Sequence, residues 1–438
     1  MNTHLSLEDT GWSFDDGAAS GVAGRDENDG GAAAGGTNGA GVGPAIAAFL
    51  RSLGSYPRLL GFGEPLHGEE EFLRLRNQAF RYLVEHHGYR SIALESDCLA
   101  AVEVDAFVAA GAGELEDVME FGFSHGFGEL AANRDLVSWM RDYNRDHMPE
   151  ERLRFYGFDA PIEMTSAQSP RTPLLAVYEY LASQSAVGRD PFTLDLIEDL
   201  VGEDDRWTNP AAAMDPAQSI GAAKEVGRLR LIADDLMVIL AAESPQLIRS
   251  SSPDDWWRAA LNARTAAGLL RYHAEMADAE SSRVARLMAL RDVMMAENLK
   301  AIADHELVRG PTLVFAHNRH LQKHLSTWQL AEMSLEWWSA GAITAAQAGS
   351  RYAFLAGALG SAPRHGIPRA EEGTLEGELA GLPGNSYVLD ARALSTALAG
   401  WDKGLEYRAD APEETGYFPL EAEQLEGMDG VLFLKEIT

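Results

Sequence analysis

Three ionisable residues at short spacing could do chemistry together: Glu64, His67 and Arg76, in the stretch PRLLGFGEPLHGEEEFLRLR that begins at Pro57. A histidine beside carboxylates is a good general base, because the acids fix its tautomer and raise its proton affinity toward working pH. Glu64 is one such acid. Glu95, at the end of a later apolar run, is the second one expected to reach His67. The Arg76 guanidinium could hold a carboxylate or stabilise a developing oxyanion. The plainer alternative is a surface arginine paired with a nearby glutamate. Glu69, Glu70 and Glu71 read as a solvated helix start, favourable to the dipole there.

These residues need a frame that brings them together. The run Leu59–Gly63, its charged turn and the helix-like segment behind it read as strand, tight turn, helix. Arg90–Leu94, before Glu95 and Asp97, and Leu153–Phe158, before Asp159, are further strand candidates. Helical spacing fills Leu99–Ala109 and Asn133–Asp146 between them. This β-α-β-α-β order predicts an α/β fold with a mostly parallel sheet, flanking helices and right-handed crossovers. From Pro173 to about Asp304 the pattern is helix after helix, a large insertion packed over the sheet. Strands resume at Pro311–Ala316, Arg351–Leu355, Ser386–Leu389 and Gly430–Lys435. The expected organisation is a Gly/Ala-rich disordered tail over residues 1–43, core over 44–172, helical insertion over 173–305 and core again over 306–438. The carboxyl ends of parallel strands lie along one edge. Glu64, His67, Glu95, Asp97, Asp159 and His317 can therefore converge where open α/β sheets bind ligands. Loops after strands are polar in any protein, which is the bland explanation for each of these residues taken singly.

Composition narrows the function. The chain has 438 residues, with 36 Lys and Arg against 67 Asp and Glu, a net charge of −31. That balance argues against nucleic acid and against anionic membranes as partners. No apolar run is long enough to span a bilayer, and no leader pattern is visible. Cys98 is the only cysteine, which excludes an intramolecular disulfide and fits a reducing cytoplasm. Gly122-Phe123-Ser124-His125-Gly126 matches G-x-S-x-G but follows the acidic ELEDVMEF rather than a strand. A glycine-rich loop near the site, with Ser124 and His125 against substrate, is expected over a nucleophile elbow. His317, His320 and His324 would share one face if their segment is helical. With Glu64, His67 or Glu70 they could bind a divalent metal.

Further blocks carry a resemblance. They are Gly63-Glu64-x-x-His67-Gly68-x-x-x-Phe72 with Arg76, Ala93-Leu94-Glu95-Ser96-Asp97, Phe155-Tyr156-Gly157-Phe158-Asp159, Arg291-Asp292-x-x-Met295-Ala296-Glu297-Asn298 and Ala316-His317-Asn318-x-His320. In their order and spacing the chain resembles the erythromycin esterase family from about residue 55 to its C-terminus. The resemblance implies an α/β fold whose helical part forms one wall of a deep cleft. It implies hydrolysis of an ester or lactone without metal or other cofactor. In the antibiotic-resistance members the substrate is a macrolide. His67 would be the base that activates water, and Glu64, Glu95, Arg76 and His317 would line the same site. Ser124, His125, His320 and Arg291 are then expected against the substrate. Pro65-Leu66 stand where the family commonly has two small residues, and FGFSHGFGELAANRD replaces a Trp-containing stretch.

The expected protein is an esterase-like hydrolase acting on a small-molecule ester or lactone. Arg76 and His317 would stabilise the oxyanion or protonate the leaving alkoxide. The alternatives are a metal-dependent hydrolase using the same cluster and a non-catalytic ligand-binding or biosynthetic accessory protein. The sequence does not set the oligomeric state.

Overall fold

The structure, a computed structural model, describes residues 6–14, 41–163, 166–184, 192–213, 215–330, 332–399, 404–412 and 415–437. Its strands are β1 (Gly11–Phe14), β2 (Leu59–Glu64), β3 (Ser91–Asp97), β4 (Arg154–Asp159), β5 (Ile162–Glu163), β6 (Ser166–Ala167), β7 (Thr312–His317), β8 (Leu325–Leu330), β9 (Met333–Trp338), β10 (Tyr352–Leu359), β11 (Ser386–Asp390) and β12 (Gly430–Leu434). Eight of them form one sheet in the order β1-β11-β12-β10-β2-β7-β3-β4. From β12 to β4 neighbouring strands are parallel. At the other edge β11 and β1 run antiparallel. The short pairs β5–β6 and β8–β9 stand outside this sheet.

The parallel strands are buried along their whole length. They read as continuous apolar runs because both sheet faces are covered. Successive residues serve opposite cores: Leu60, Phe62, Ile92 and Leu94 face one, Leu59, Ala93 and Val314 the other. Helices Val42–Ser52, Glu70–His87 and Ala131–Arg145 pack together on the first face. Helix Arg283–His305 covers the second, against β4 and helix Ala340–Ala348.

Residues 173–305 hold helices and no strand among the described residues. Helices Arg171–Ser183, Lys224–Ala242 and Pro253–Met276 enclose a separate core built on Leu174, Leu229, Leu236 and Leu270. Helix Arg283–His305 packs on Pro253–Met276 as well as on the sheet, and so fixes the insertion to the strand ends.

The pairs β5–β6 and β8–β9 are additions to the sequence reading, and two of its expectations are overturned. Gly11–Phe14, expected within the disordered tail, is an edge strand paired residue for residue with Ser386–Leu389. Of the rest of that tail, residues 1–5 and 15–40 lie outside the described residues, Leu7–Thr10 forms a 3-10 turn and Val42 opens a helix. His317, His320 and His324 do not share a helix face. His317 ends β7, a single turn spans Asn318–Leu321, and His324 lies beyond it against Gly427 and Gln424. Among the described residues no helix is long and apolar enough to cross a membrane.

Candidate active site

The turn after β2 is built by close backbone approach. β2 pairs with β7 so that Glu64 lies opposite His317. A Cβ on Gly63 would stand 2.1 Å from Asn318 Oδ1. That amide is needed where it is: it donates to the Gly357 carbonyl at 2.7 Å and accepts the Gly357 N–H at 3.0 Å, joining the turn to β10. Gly68, at φ 75°, then takes the left-handed step that glycine makes without penalty. Glu69 caps the following helix, accepting the Glu71 N–H at 3.0 Å.

The acidic run behind His67 is therefore not a solvated helix start. Glu69 is buried, and its other oxygen accepts from His365 at 2.8 Å. Glu70 accepts the N–H groups of Ala131 and Ala132, at 2.7 and 3.1 Å, at the positive end of another helix. Glu70 and Glu71 are each partly exposed, Glu71 beside Arg74. Leu66, one of the two departures from the family pattern, packs in the main core, and so shapes the turn from beneath.

His67 Nδ1 stands 2.7 Å from Glu64 Oε1, and Nε2 faces Glu95 Oε1 across 3.9 Å. Glu64 and Glu95 are buried, whereas the His67 side chain is 46% exposed. The ring is thus held from below and open above. Burial works against a charged His67, but the Glu95 charge and the Glu64 hydrogen bond outweigh it, and its pKa is pushed up to about 9. Burial raises the Glu64 carboxyl, against the pull of His67.

Glu95 is the hub of the cluster. Its Oε1 is 3.3 Å from His320 Nε2 and 3.5 Å from Arg291 Nη2, and its Oε2 accepts the His317 N–H at 2.8 Å. Burial opposes its charge, yet His320, His67 and Arg291 hold its pKa down to about 2. Each of these cations has a second acid behind it. Asp292 faces His320 Nδ1 at 2.9 Å and is fixed by Trp337 Nε1 and the Ala340 N–H. Asp159 takes Arg291 in a fork, at 3.0 and 2.5 Å. His125 lies between Asp159 (3.1 Å) and Glu163 (2.7 Å). It does so with φ at 59°, a left-handed backbone that costs a residue with a side chain about 1–3 kcal/mol. Phe127 lies against both histidines, tilted to His67 with centroids 5.4 Å apart and edge-on to His125 with centroids 5.5 Å apart.

His67, Glu64, Glu95, His125, His320 and Arg291 thus come together. Three expected residues have other surroundings. The His317 Nε2–H donates to the Pro65 carbonyl at 3.1 Å, and Nδ1 accepts the Arg319 N–H at 3.2 Å, so neither nitrogen is open to a substrate. Arg76 is buried, bonded to Asn77 and placed 4.7 Å from the Phe315 ring; it is not a surface arginine, and it acts on Glu64 through its field. The Ser124 hydroxyl accepts the Asp97 N–H at 2.9 Å and ties its loop to β3. A helix, Leu115–Phe121, precedes that loop, and no strand does, as the acidic sequence implies. Asp292 and Glu163 were not singled out from sequence. Asp292 stands beside Arg291 at the head of the stretch Arg291–Asn298, which is a usable signal; Glu163 has none. Among the described residues no group of His, Cys, Asp and Glu is arranged to hold a metal ion.

A family model described as erythromycin esterase matches residues 84–437, a stretch that starts after the Glu64–His67 turn. Erythromycin esterase type I of Escherichia coli is 29% identical over 138 residues, which is 30% of this chain and 30% of that protein. Among solved structures, a succinoglycan biosynthesis protein superposes with a TM-score of 0.64 at 17% identity, covering 90% of this chain and 91% of that one. A Bacillus cereus protein gives 0.62 at 18% identity, covering 86% and 88%. A mutant of the erythromycin esterase EreC in its open conformation gives 0.59 at 19% identity, covering 87% and 91%. At these identities the three structures share its fold.

Proposed function

The chain belongs to the erythromycin esterase family, and from that premise we propose that it hydrolyses a carboxylic ester or lactone with water activated by His67. The observation that carries the reading is the half-open His67 ring, bonded through Nδ1 to Glu64 at 2.7 Å and facing Glu95 across 3.9 Å. In the active form Nδ1–H donates to the Glu64 carboxylate and Nε2 is unprotonated. A water beside Nε2 gives up its proton there as its oxygen attacks the acyl carbon. The resulting imidazolium is stabilised by both carboxylates and returns the proton to the leaving alkoxide. Arg291, fixed by Asp159 and reaching the cluster through Nη2, supplies the positive field for the tetrahedral oxyanion. His317 and Arg76, whose polar atoms are engaged beneath the turn, act as positioning residues in this scheme.

The name of the E. coli relative makes a macrolide lactone the first substrate to test, followed by simple carboxylic esters. His67→Ala is expected to lower kcat by about 10²–10⁴-fold, the usual contribution of a general base. The variant should still fold, but with lower stability near neutral pH, because the proton that both carboxylates favour on the ring is lost with it. Undiminished turnover in the purified, folded variant would remove His67 from the mechanism.

A further inference from the structure

A cavity of about 110 Å³ lies at the foot of the sheet, bounded by the start of β2, helix Arg283–His305 and helix Ala340–Ala348. Leu59 lines it, and Glu64 is the far end of the same strand, about 17 Å away at a strand's rise of ~3.3 Å per residue. The helix that gives Ala296, Lys300 and Ala303 to the cavity also carries Arg291 to the His67 cluster. The two sites therefore share elements but no lining residue.

The charge of this cavity runs against that of the chain. Arg58, Lys300 and Arg351 face one acid, Asp304, which is already paired with Lys300. The net charge of the chain is −31. The Arg58 N–H donates to the Arg351 carbonyl at 2.7 Å, so the two arginines stand side by side below β2 and β10. Part of this charge has a structural duty. Arg58 Nη2 donates to the carbonyls of Glu306, Leu307 and Gly310, at 2.8, 2.9 and 3.0 Å, and Arg351 Nε to that of Ala348 at 3.3 Å, where cations suit helix ends. That duty leaves two buried polar atoms unexplained. Arg58 Nε and Thr344 Oγ1 are out of solvent and without a hydrogen-bond partner, and Thr344 as a whole is only 5% exposed. Both residues line the cavity. Buried polar groups are nearly always bonded, and an orphan is costly. One of these atoms donates and the other does both, so a single acceptor group answers the pair.

We propose that this cavity binds a short-chain carboxylate, with its oxygens on Arg58 Nε and the Thr344 hydroxyl and its alkyl end against Leu59, Ala296 and Ala303. A guanidinium N–H and a hydroxyl suit the two oxygens of a carboxylate. Phosphate would set charged oxygens against the apolar wall, where they have no partner. A neutral amide would leave the surplus positive charge unanswered. A dry cavity of about 150 Å³ holds benzene, so this one takes about four or five heavy atoms, the size of acetate or propionate. The proposal stands apart from the hydrolase reading.

Titration calorimetry on the full chain tests it, with propionate, propionamide and inorganic phosphate as probes at equal ionic strength. Propionate should bind saturably, at least about tenfold more tightly than either of the others. Thr344→Val replaces an unpartnered hydroxyl by a methyl, so it should fold as the parent does and weaken propionate about tenfold, for the loss of a hydrogen bond to a charged group. Arg351→Gln, at an exposed position, should weaken it a few-fold through lost charge alone. His67→Ala should bind propionate as the parent does. Binding that vanishes in His67→Ala belongs to the catalytic cluster and overturns the proposal. Equal affinity in the parent, Thr344→Val and Arg351→Gln does the same, as does phosphate or propionamide bound as tightly as propionate. No saturable propionate binding would leave the arginines as helix caps and remove the site.

Discussion

Glu64 and His317 are paired across neighbouring strands, and the rings of His67 and His317 lie 5.0 Å apart, yet the two histidines are opposites. His67 stands between carboxylates and has its pKa pushed up to about 9. His317 stands among carbonyls; burial, and then the nearby His67 charge, push it down to about 3. Burial disfavours the cation in both. What separates them is the partner: an acid that gains from the proton, or a carbonyl that needs only one N–H. The same residue type at adjacent strand ends is thereby split into a proton carrier and a fixed strut.

The contrast breaks most visibly at Glu95. Glu95→Gln keeps the shape but removes the charge that does most to raise His67. It also leaves Arg291 and His320 with one acid fewer. We expect kcat to fall by about 10²-fold or more, and the pH profile of the residual activity to move. In the parent, the base form of His67 is the deprotonated one, so turnover should climb with pH toward about 9. In Glu95→Gln that limb should shift to lower pH. A pH–rate profile on both proteins checks this; an unmoved limb would mean that His67 is not the titrating group.

His317 should respond in stability rather than in profile. His317→Ala removes the bond that holds Pro65 and leaves a cavity, at a cost of about 1–3 kcal/mol in denaturant melts, while the alkaline limb of the surviving activity stays in place. The linkage signs of the two histidines are also opposite. His67 binds its proton more tightly folded than unfolded, so its contribution is full below its ordinary 6.5 and fades as pH rises through about 9. His317 is held neutral, so its contribution is full above 6.5 and fades on acidification toward about 3. Melts across pH should therefore lose slope on the alkaline side in His67→Ala and on the acid side in His317→Ala. The Glu95 contribution, full above 4.5 and lost toward about 2, should persist in His317→Ala.

The parallel strands were legible because burial on both faces leaves uninterrupted apolar runs that end in charge, as at Leu59–Glu64 and Thr312–His317. The strand Gly11–Phe14 was not. Four residues in a glycine- and aspartate-rich stretch carry no pattern, and their partner lies at Ser386–Leu389, far along the chain. Residue types marked the site, but types do not reveal partners. His317 read as a free imidazole because nothing in AHNRH announces the Pro65 carbonyl. Glu69 and Glu70 read as solvated because the helix start and the His365 ring that they serve are distant in sequence. Asp292 and Glu163 sit in segments whose periodicity reports only which face is buried.

The smallest expected effect tests whether the partner rule extends to His125. His125 has one buried acid, Asp159, and one half-exposed acid, Glu163. Glu163 accepts both the His125 N–H and an Nδ1 contact, at 2.8 and 2.7 Å, but solvent screens it. Asp159 is dry and already ionised by Arg291 and His125. If buried partners set proton affinity, Glu163→Gln should lower kcat only a few-fold and cost less than about 1 kcal/mol, because glutamine still accepts the backbone N–H and the dry acid remains. Steady-state kinetics and a thermal melt read both quantities. A loss as large as that of Glu95→Gln would show that the left-handed turn at His125 depends on the Glu163 charge, and that the loop carrying Phe127 over His67 is held from its solvent side rather than from the core.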